Sequence, residues 1–303
     1  MMQQAESSHS EKSSSVRASH DHPYAGRSVS LATKHGKEGQ IAPAFAQTLQ
    51  MRVEVPAGID TDVLGTFTGE IPRTGSPMET VYAKARLGMQ ISGSPLGLAN
   101  EGSFGPHPAM PLMLADTELL LFIDDERGIK VQEVLVSEKV VAAQCTARTF
   151  ADLGTFLEGA HFPSHALIVR PEGLFQPDLI FKAVTDPQRL EELITLCAAE
   201  SPAGLAHIES DLRAHMNPTR RRVLSQLAEQ LAQRLARLCP HCATPGWGIV
   251  DHEAGLPCSW CGQPTELVRA LIFGCPACTS QERHGRPDGL QSADAGQCPF
   301  CNP

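Results

Sequence analysis

The sequence predicts an α/β protein: a mixed sheet flanked by helices, followed by a long helix and a C-terminal double zinc ribbon. Three observations predict it. Short β-branched runs alternate with helical stretches between residues 28 and about 200, a leucine-striped helix follows, and eight of ten cysteines form four Cys-x-x-Cys pairs after residue 238. At 303 residues and 42% hydrophobic, the chain is long enough for a sizeable core, while 25 glycines and 23 prolines make it loop-rich rather than a helical bundle. The net charge of −9 argues against wholesale nucleic-acid coating and leaves room for a local basic face. No apolar run approaches the roughly 20 residues that span a bilayer, so no membrane partner is expected.

Residues 1–27 carry seven serines and three histidines with no apolar stretch, and they read as a disordered tail. The body, 28–204, opens with a strand at 28–33 and a helix at 38–49. A strand at 51–55, a helix at 77–92 and a strand at 96–99 running into a glycine-rich turn complete a βαβαβ pattern. Two strands, 118–123 and 129–136, flank a tight polar turn as a hairpin. A helix at 150–160, strands at 166–170 and 179–184, and an amphipathic helix at 187–199 follow. Such alternation points to a sheet whose ligand crevice lies beyond the carboxyl ends of its strands.

Three segments of the body carry chemistry. The turn after the first strand sets Thr33, Lys34, His35, Gly36 and Lys37 before a helix N-terminus, an arrangement suited to phosphate. It lacks the spacing of a P-loop or a dinucleotide fingerprint. The loop after the second strand bears Asp62 and Glu70, hard oxygen ligands able to hold Mg²⁺. The strand at 96–99 ends at Asn100-Glu101-Gly102, a carboxylate followed by small residues that admit a ligand. Ser164 and His165 are adjacent, and neighbours on a strand point to opposite faces, so they form no dyad without a turn.

Together these segments resemble the inosine/xanthosine triphosphate pyrophosphatases. The resemblance rests on Ala32-Thr33-Lys34-His35-Gly36-Lys37, Glu70, Ala83-Lys84-Ala85 and Leu98-Ala99-Asn100-Glu101-Gly102. It implies a Mg²⁺-dependent hydrolase with Glu101, Glu70 and Asp62 as catalytic carboxylates and Thr33, Lys34, Lys37 and Lys84 on the phosphates of a nucleotide. The asparagine of that family's first turn is replaced here by Lys34 or His35. Over nearly everything after residue 27 the chain also resembles a bacterial family catalogued as a domain of unknown function. The phrases Phe162-Pro163-Ser164-His165 and Met216-Asn217-Pro218-Thr219-Arg220 are among those that carry this second resemblance.

Residues 205–238 read as a helical linker. Asn217-Pro218 is an N-cap with proline at the first helical position, and Leu224, Leu227, Leu231, Leu235 and Leu238 form one stripe beside a basic face. Intramolecular pairing of those arginines is the expectation. In 239–303, Cys239 and Cys242 are followed after fifteen residues by Cys258 and Cys261, and Cys275 and Cys278 after nineteen by Cys298 and Cys301. Each Cys-x-x-Cys turn aims two thiolates at one point, so two knuckles close a Cys₄ site that holds a structural zinc. The sequence predicts two consecutive ribbons, and an interleaved cross-brace uses the same eight thiols. Thiols kept as ligands imply a reducing, cytoplasmic setting. Cys145 and Cys197 read as packed thiols. The expected function is therefore a zinc-binding protein with a nucleotide pyrophosphohydrolase-like body, and the alternative is a non-enzymatic adaptor whose ribbons bind nucleic acid or a protein.

Overall fold

The computed structural model describes residues 18–34, 36–61, 63 and 75–303. Strands β1 (Ser28–Ala32), β2 (Arg52–Glu54), β3 (Leu96–Pro106), β4 (Leu114–Asp124) and β5 (Ile129–Ser137) form one sheet in the order β2-β1-β3-β4-β5. β1 runs parallel to β2 and β3, whereas β3, β4 and β5 form an antiparallel meander. Side chains alternate across the sheet. Leu31, Leu98, Leu120 and Phe122 meet helix α1 (Glu38–Leu49), and Ala32, Ala99, Leu119 and Leu121 meet helix α2 (Pro77–Ser92). α2 starts at a capping box in which Ser76 and Glu79 satisfy each other's backbone N–H, with Pro77 at the first helical position.

The glycine-rich turn expected after residue 99 is instead seven further residues of β3, because all eleven residues of β3 pair with β4. β1 stops at Ala32, opposite Ala99, so β3 from Asn100 onward runs beyond its parallel neighbour. Residues 18–27, expected in the disordered tail, pack onto the core. Tyr24 is fully buried and donates to Asp124 Oδ2 at 2.9 Å, and His22 Nε2 lies 3.2 Å from the Leu235 carbonyl.

A second sheet of β6 (Gln144–Ala147), β7 (Leu167–Pro171), β8 (Phe181–Val184) and β9 (Ala206–Ser210) has the order β6-β9-β7-β8 and is antiparallel throughout. The sequence pattern suggested one sheet and missed β6 and β9, which are only four and five residues long. The helix expected at 150–160 is a 3₁₀ turn and a single α-turn, α3 (Phe156–Gly159), divided at Gly154 with φ of 50°. Helix α4 (Pro187–Glu200), capped by Asp186, covers this sheet with Leu190, Leu193, Ile194 and Cys197.

Helix α5 (Pro218–Ala236) begins at the Asn217 cap, buries Leu224, and packs Leu227, Leu231 and Leu235 against α1 and the first sheet. The segment read as a linker thus supplies a central strand of one sheet and a core helix of the other. Strands β10 (Gly248–Ala254), β11 (Val268–Gly274) and β12 (Gln281–Gly285) make an antiparallel third sheet. Arg234 docks it to the body, donating to Gly246 O at 3.2 Å and Gln132 O at 3.1 Å while pairing with Glu133 at 2.9 Å. Among the described residues no helix is long and apolar enough to cross a membrane.

Gly102 lies directly beneath a buried pair, Glu118 and Arg220, and a Cβ there would overlap both side chains. Gly102→Ala should therefore lower the unfolding free energy in urea by about 1–3 kcal/mol or more, with the pair displaced.

Candidate functional site

Where β3 passes the end of β1, polar side chains replace the apolar core on both faces. On the α2 face Lys84, in the buried stripe of the helix, donates to Glu101 Oε2 at 2.5 Å, and Glu101 is 2% exposed. On the opposite face Lys37, just before α1, donates to Asn100 Oδ1 at 2.8 Å. The Asn100 amide donates to Glu118 Oε2 at 2.8 Å and to the Leu119 carbonyl at 3.0 Å. Arg220, three residues past the α5 cap, reaches back with Nε 2.5 Å from Glu118 Oε1 and donates from Nη1 to Leu212 O at 2.7 Å. At the mouth, Thr33 is buried and Lys34 pairs with Asp60 at 3.0 Å.

Burial and the nearby Arg220 charge push the Lys37 ammonium down to about 7, so it titrates near neutrality. Burial opposes ionisation of Glu118, yet Arg220 and Lys37 together with hydrogen bonds from Arg220 and Asn100 hold it below the usual carboxylate range. Asp116, on the same face of β4, is pushed up to about 8 by burial and by the Glu118 charge. The crevice therefore has a neutral acid, two fixed ion pairs and a lysine poised to take a proton. An incoming phosphate would meet cations on both faces of β3.

Of the residues expected at this site, Glu101, Lys84, Lys37, Lys34 and Thr33 do gather where β1 ends. Glu101 lies within a strand rather than on a loop. Asp62, Glu70 and His35 lie outside the described residues. Asn100, Asp116, Glu118 and Arg220 were missed as site residues. The signal was present for the acids: Asp116 and Glu118 occupy alternate positions of a strand that continues into the apolar run Leu119–Ile123, where a charge needs a buried partner. Arg220, read on the basic surface of the helix with intramolecular pairing expected, is paired, but with Glu118 in the interior at 2% exposure rather than at the surface.

The adjacent Ser164 and His165 do touch, with Oγ 3.2 Å from Nδ1, because they sit in the turn before β7 and not on a strand. The serine hydroxyl donates to the His161 carbonyl at 2.7 Å, so its proton is not directed at the imidazole. This arrangement is not that of an activated nucleophile.

The eight C-terminal thiols form two tetrads, Cys239, Cys242, Cys275, Cys278 and Cys258, Cys261, Cys298, Cys301, each with ligand atoms within 4.8 Å of one another. The pairing is interleaved, which corrects the consecutive ribbons. One strand separates successive knuckles: β10 leads from the first to the second, β11 returns to the third, and β12 leads to the fourth. Antiparallel strands thus place odd knuckles at one end and even knuckles at the other. Sulfur pairs stand at 3.8 and 3.6 Å in one tetrad and at 3.9 and 3.7 Å in the other. Four thiolates about 2.3 Å from a central zinc have edges of about 3.8 Å, so both tetrads fit that ion. Backbone N–H groups of Trp260 and Ala277 point at Cys258 and Cys275 sulfurs, each at 3.3 Å, as a thiolate requires. Cys145 and Cys197 are free thiols in the second lobe, and burial pushes each up to about 11.

The family profile of a domain of unknown function, DUF6671, matches residues 84–303, more than two-thirds of the chain. The chain belongs to that family. DUF6671 thus takes in α2 from Lys84, the Glu101 strand, both lobes' central elements and the two tetrads. No curated protein and no solved structure matches this chain.

The interleaved pairing has a direct consequence for metal counting. Replacing Cys239 and Cys275 by serine should remove one bound metal ion and leave the other, whereas replacing Cys239 and Cys258 should remove both. Elemental analysis of the purified variants checks this, and the consecutive pairing gives the opposite result.

Proposed function

We propose that the crevice at the end of β1 binds the phosphates of a nucleotide and hydrolyses a nucleoside triphosphate to the monophosphate and pyrophosphate. The observation that carries this reading is the buried Glu101 carboxylate held 2.5 Å from Lys84 at the carboxyl ends of parallel strands, with Lys37 across the strand. Lys84, Lys37, Lys34 and Thr33 would hold phosphate oxygens as charge builds on them. Glu101 offers hard oxygens beside that anion, a donor chemistry that fits Mg²⁺, with Asp62 and Glu70 as further ligands. The ion would polarise the phosphate, while the chain's own lysines orient it for attack by water at the α-phosphorus. The bond to the bridging oxygen breaks, and pyrophosphate leaves. The residue-level resemblance to inosine/xanthosine triphosphate pyrophosphatases supports the same assignment.

Purified protein should release pyrophosphate from at least one member of a nucleoside triphosphate panel, only with Mg²⁺ present. Glu101→Gln should lower kcat by about 10²-fold or more. Nucleotide affinity should fall as pH rises through about 7, because Lys37 loses its proton there. Absence of release from every nucleotide would overturn the reading.

The C-terminal tetrads hold two structural zinc ions in this reading, and thiols kept reduced for them suit the cytoplasm. A protein partner is favoured for this end by two exposed aromatics, Trp260 at 81% and Phe300 at 66%, each adjoining a cysteine of the same tetrad. Residues 239–303 carry six carboxylates against three arginines, and Arg269, Arg283 and Arg286 all face carboxylates of their own module. Such a balance repels nucleic acid and suits a basic protein segment stacked on the rings. An arginine-glycine repeat peptide should bind the full chain more tightly than a single-stranded oligonucleotide, and Trp260→Ala with Phe300→Ala should weaken it at least tenfold. Tighter oligonucleotide binding would reverse the assignment.

A further inference from the structure

Two sequence phrases, residues 162–165 and 216–220, meet in space through side chains that the crevice does not use: His165 Nε2 lies 3.0 Å from Thr219 Oγ1, and the Thr219 N–H also points at it, at 3.3 Å. Beside this junction a cavity of about 600 Å³ opens between the end of β5, the 138–143 connection, the His161 turn and the first turns of α5. Lys139, His161 and Arg222 line it with Val140, Val141 and Val223, and no carboxylate does. Lys139 and Arg222 make no ion pair among the described residues, and both are exposed. His161 adopts φ of 53°, a left-handed conformation that a non-glycine residue holds only when its surroundings dictate it.

The charged side chains that line this cavity are cations only. The neighbouring His165, buried at 4% exposure, is held below its ordinary range first by burial and then by the charges of His161, Arg222 and Arg221, with no acid opposing them. In a chain with net charge −9, Lys139 and Arg222 gathered with the His161 imidazole at one cavity form a local exception. Its volume lies within the range of small-molecule pockets, and it sits at the junction of two sheets, where such pockets concentrate. The valines give an apolar wall, and Lys139, Arg222 and the His161 ring give a polar, cationic rim.

We infer that this cavity is a second ligand site, distinct from the crevice, for a small phosphate monoester with an apolar body. The dianion satisfies Lys139, Arg222 and His161 together, and the body covers Val140, Val141 and Val223. Phenyl phosphate is the probe. Its binding to the full chain should shift the ring resonances of His161 and His165 in NMR spectra, and those shifts should persist in Lys34→Met, which removes an exposed lysine of the crevice. Inorganic phosphate should bind at least tenfold more weakly, since it leaves the valines uncovered. The exposed pair Lys139→Ala and Arg222→Ala should weaken phenyl phosphate at least tenfold while the circular dichroism spectrum stays unchanged. Unshifted histidine resonances, unaltered affinity in that double variant, or equal binding of phenylacetate would each overturn the proposal.

Discussion

The ion pair between Glu118 and Arg220 is the contact on which the rest of the body depends. It joins the fourth strand of the first sheet to the start of α5, across 102 positions of sequence, with both side chains almost wholly buried. Removing one partner of such a pair leaves a buried charge, which costs about 3–5 kcal/mol. Here the cost of burying it is offset because every group is answered. Glu118 also accepts from Asn100, Arg220 also donates to Leu212, and Asn100 in turn holds Lys37. The network fixes the position of α5, and α5 carries the elements that touch the second sheet and the metal-braced end.

The crevice is a product of unequal strand lengths. β1 has five residues and β3 has eleven, so seven positions of β3 extend past the last paired residue of β1. Past that point the alternation of side chains sends Glu101 to Lys84 on one face and Asn100 to Lys37 on the other. Two separate polar contacts thus lie at successive residues of β3, just past the end of β1. Burial shapes their protonation: Lys37 moves toward neutrality while Asp116 keeps its proton well above the usual carboxylate range.

The C-terminal end follows a different logic. It has little apolar core, and its buried aromatic is Trp247, next to the body. Three short strands are braced at both ends by thiol tetrads, and a metal ion at each would replace the hydrophobic core that so short a segment lacks. One tetrad follows α5 directly and is tied to the body through Arg234 and through Gly246 against Val131. The other carries Trp260 and Phe300 outward.

Much of the local structure was legible along the chain. The spacing of apolar residues, the Ser76-Pro77-x-Glu79 start of α2 and the Asn217-Pro218 start of α5 specify those helices through contacts only three or four residues apart. The Cys-x-x-Cys turns likewise specify which thiols are ligands. Long-range partnership was not legible: two sheets in place of one, the burial of Arg220, the continuation of β3 through Gly102, the packing of Tyr24 and the interleaving of knuckles. Each depends on where a distant strand or helix ends, and a periodic pattern carries no information about that. The sequence by itself determined helices α1, α2, α4 and α5 and the eight thiols that gather in tetrads. Only the tertiary structure decided that Glu118 and Arg220 meet, that β1 stops short of β3 and that odd knuckles join odd, because those outcomes follow from strand direction and length in three dimensions.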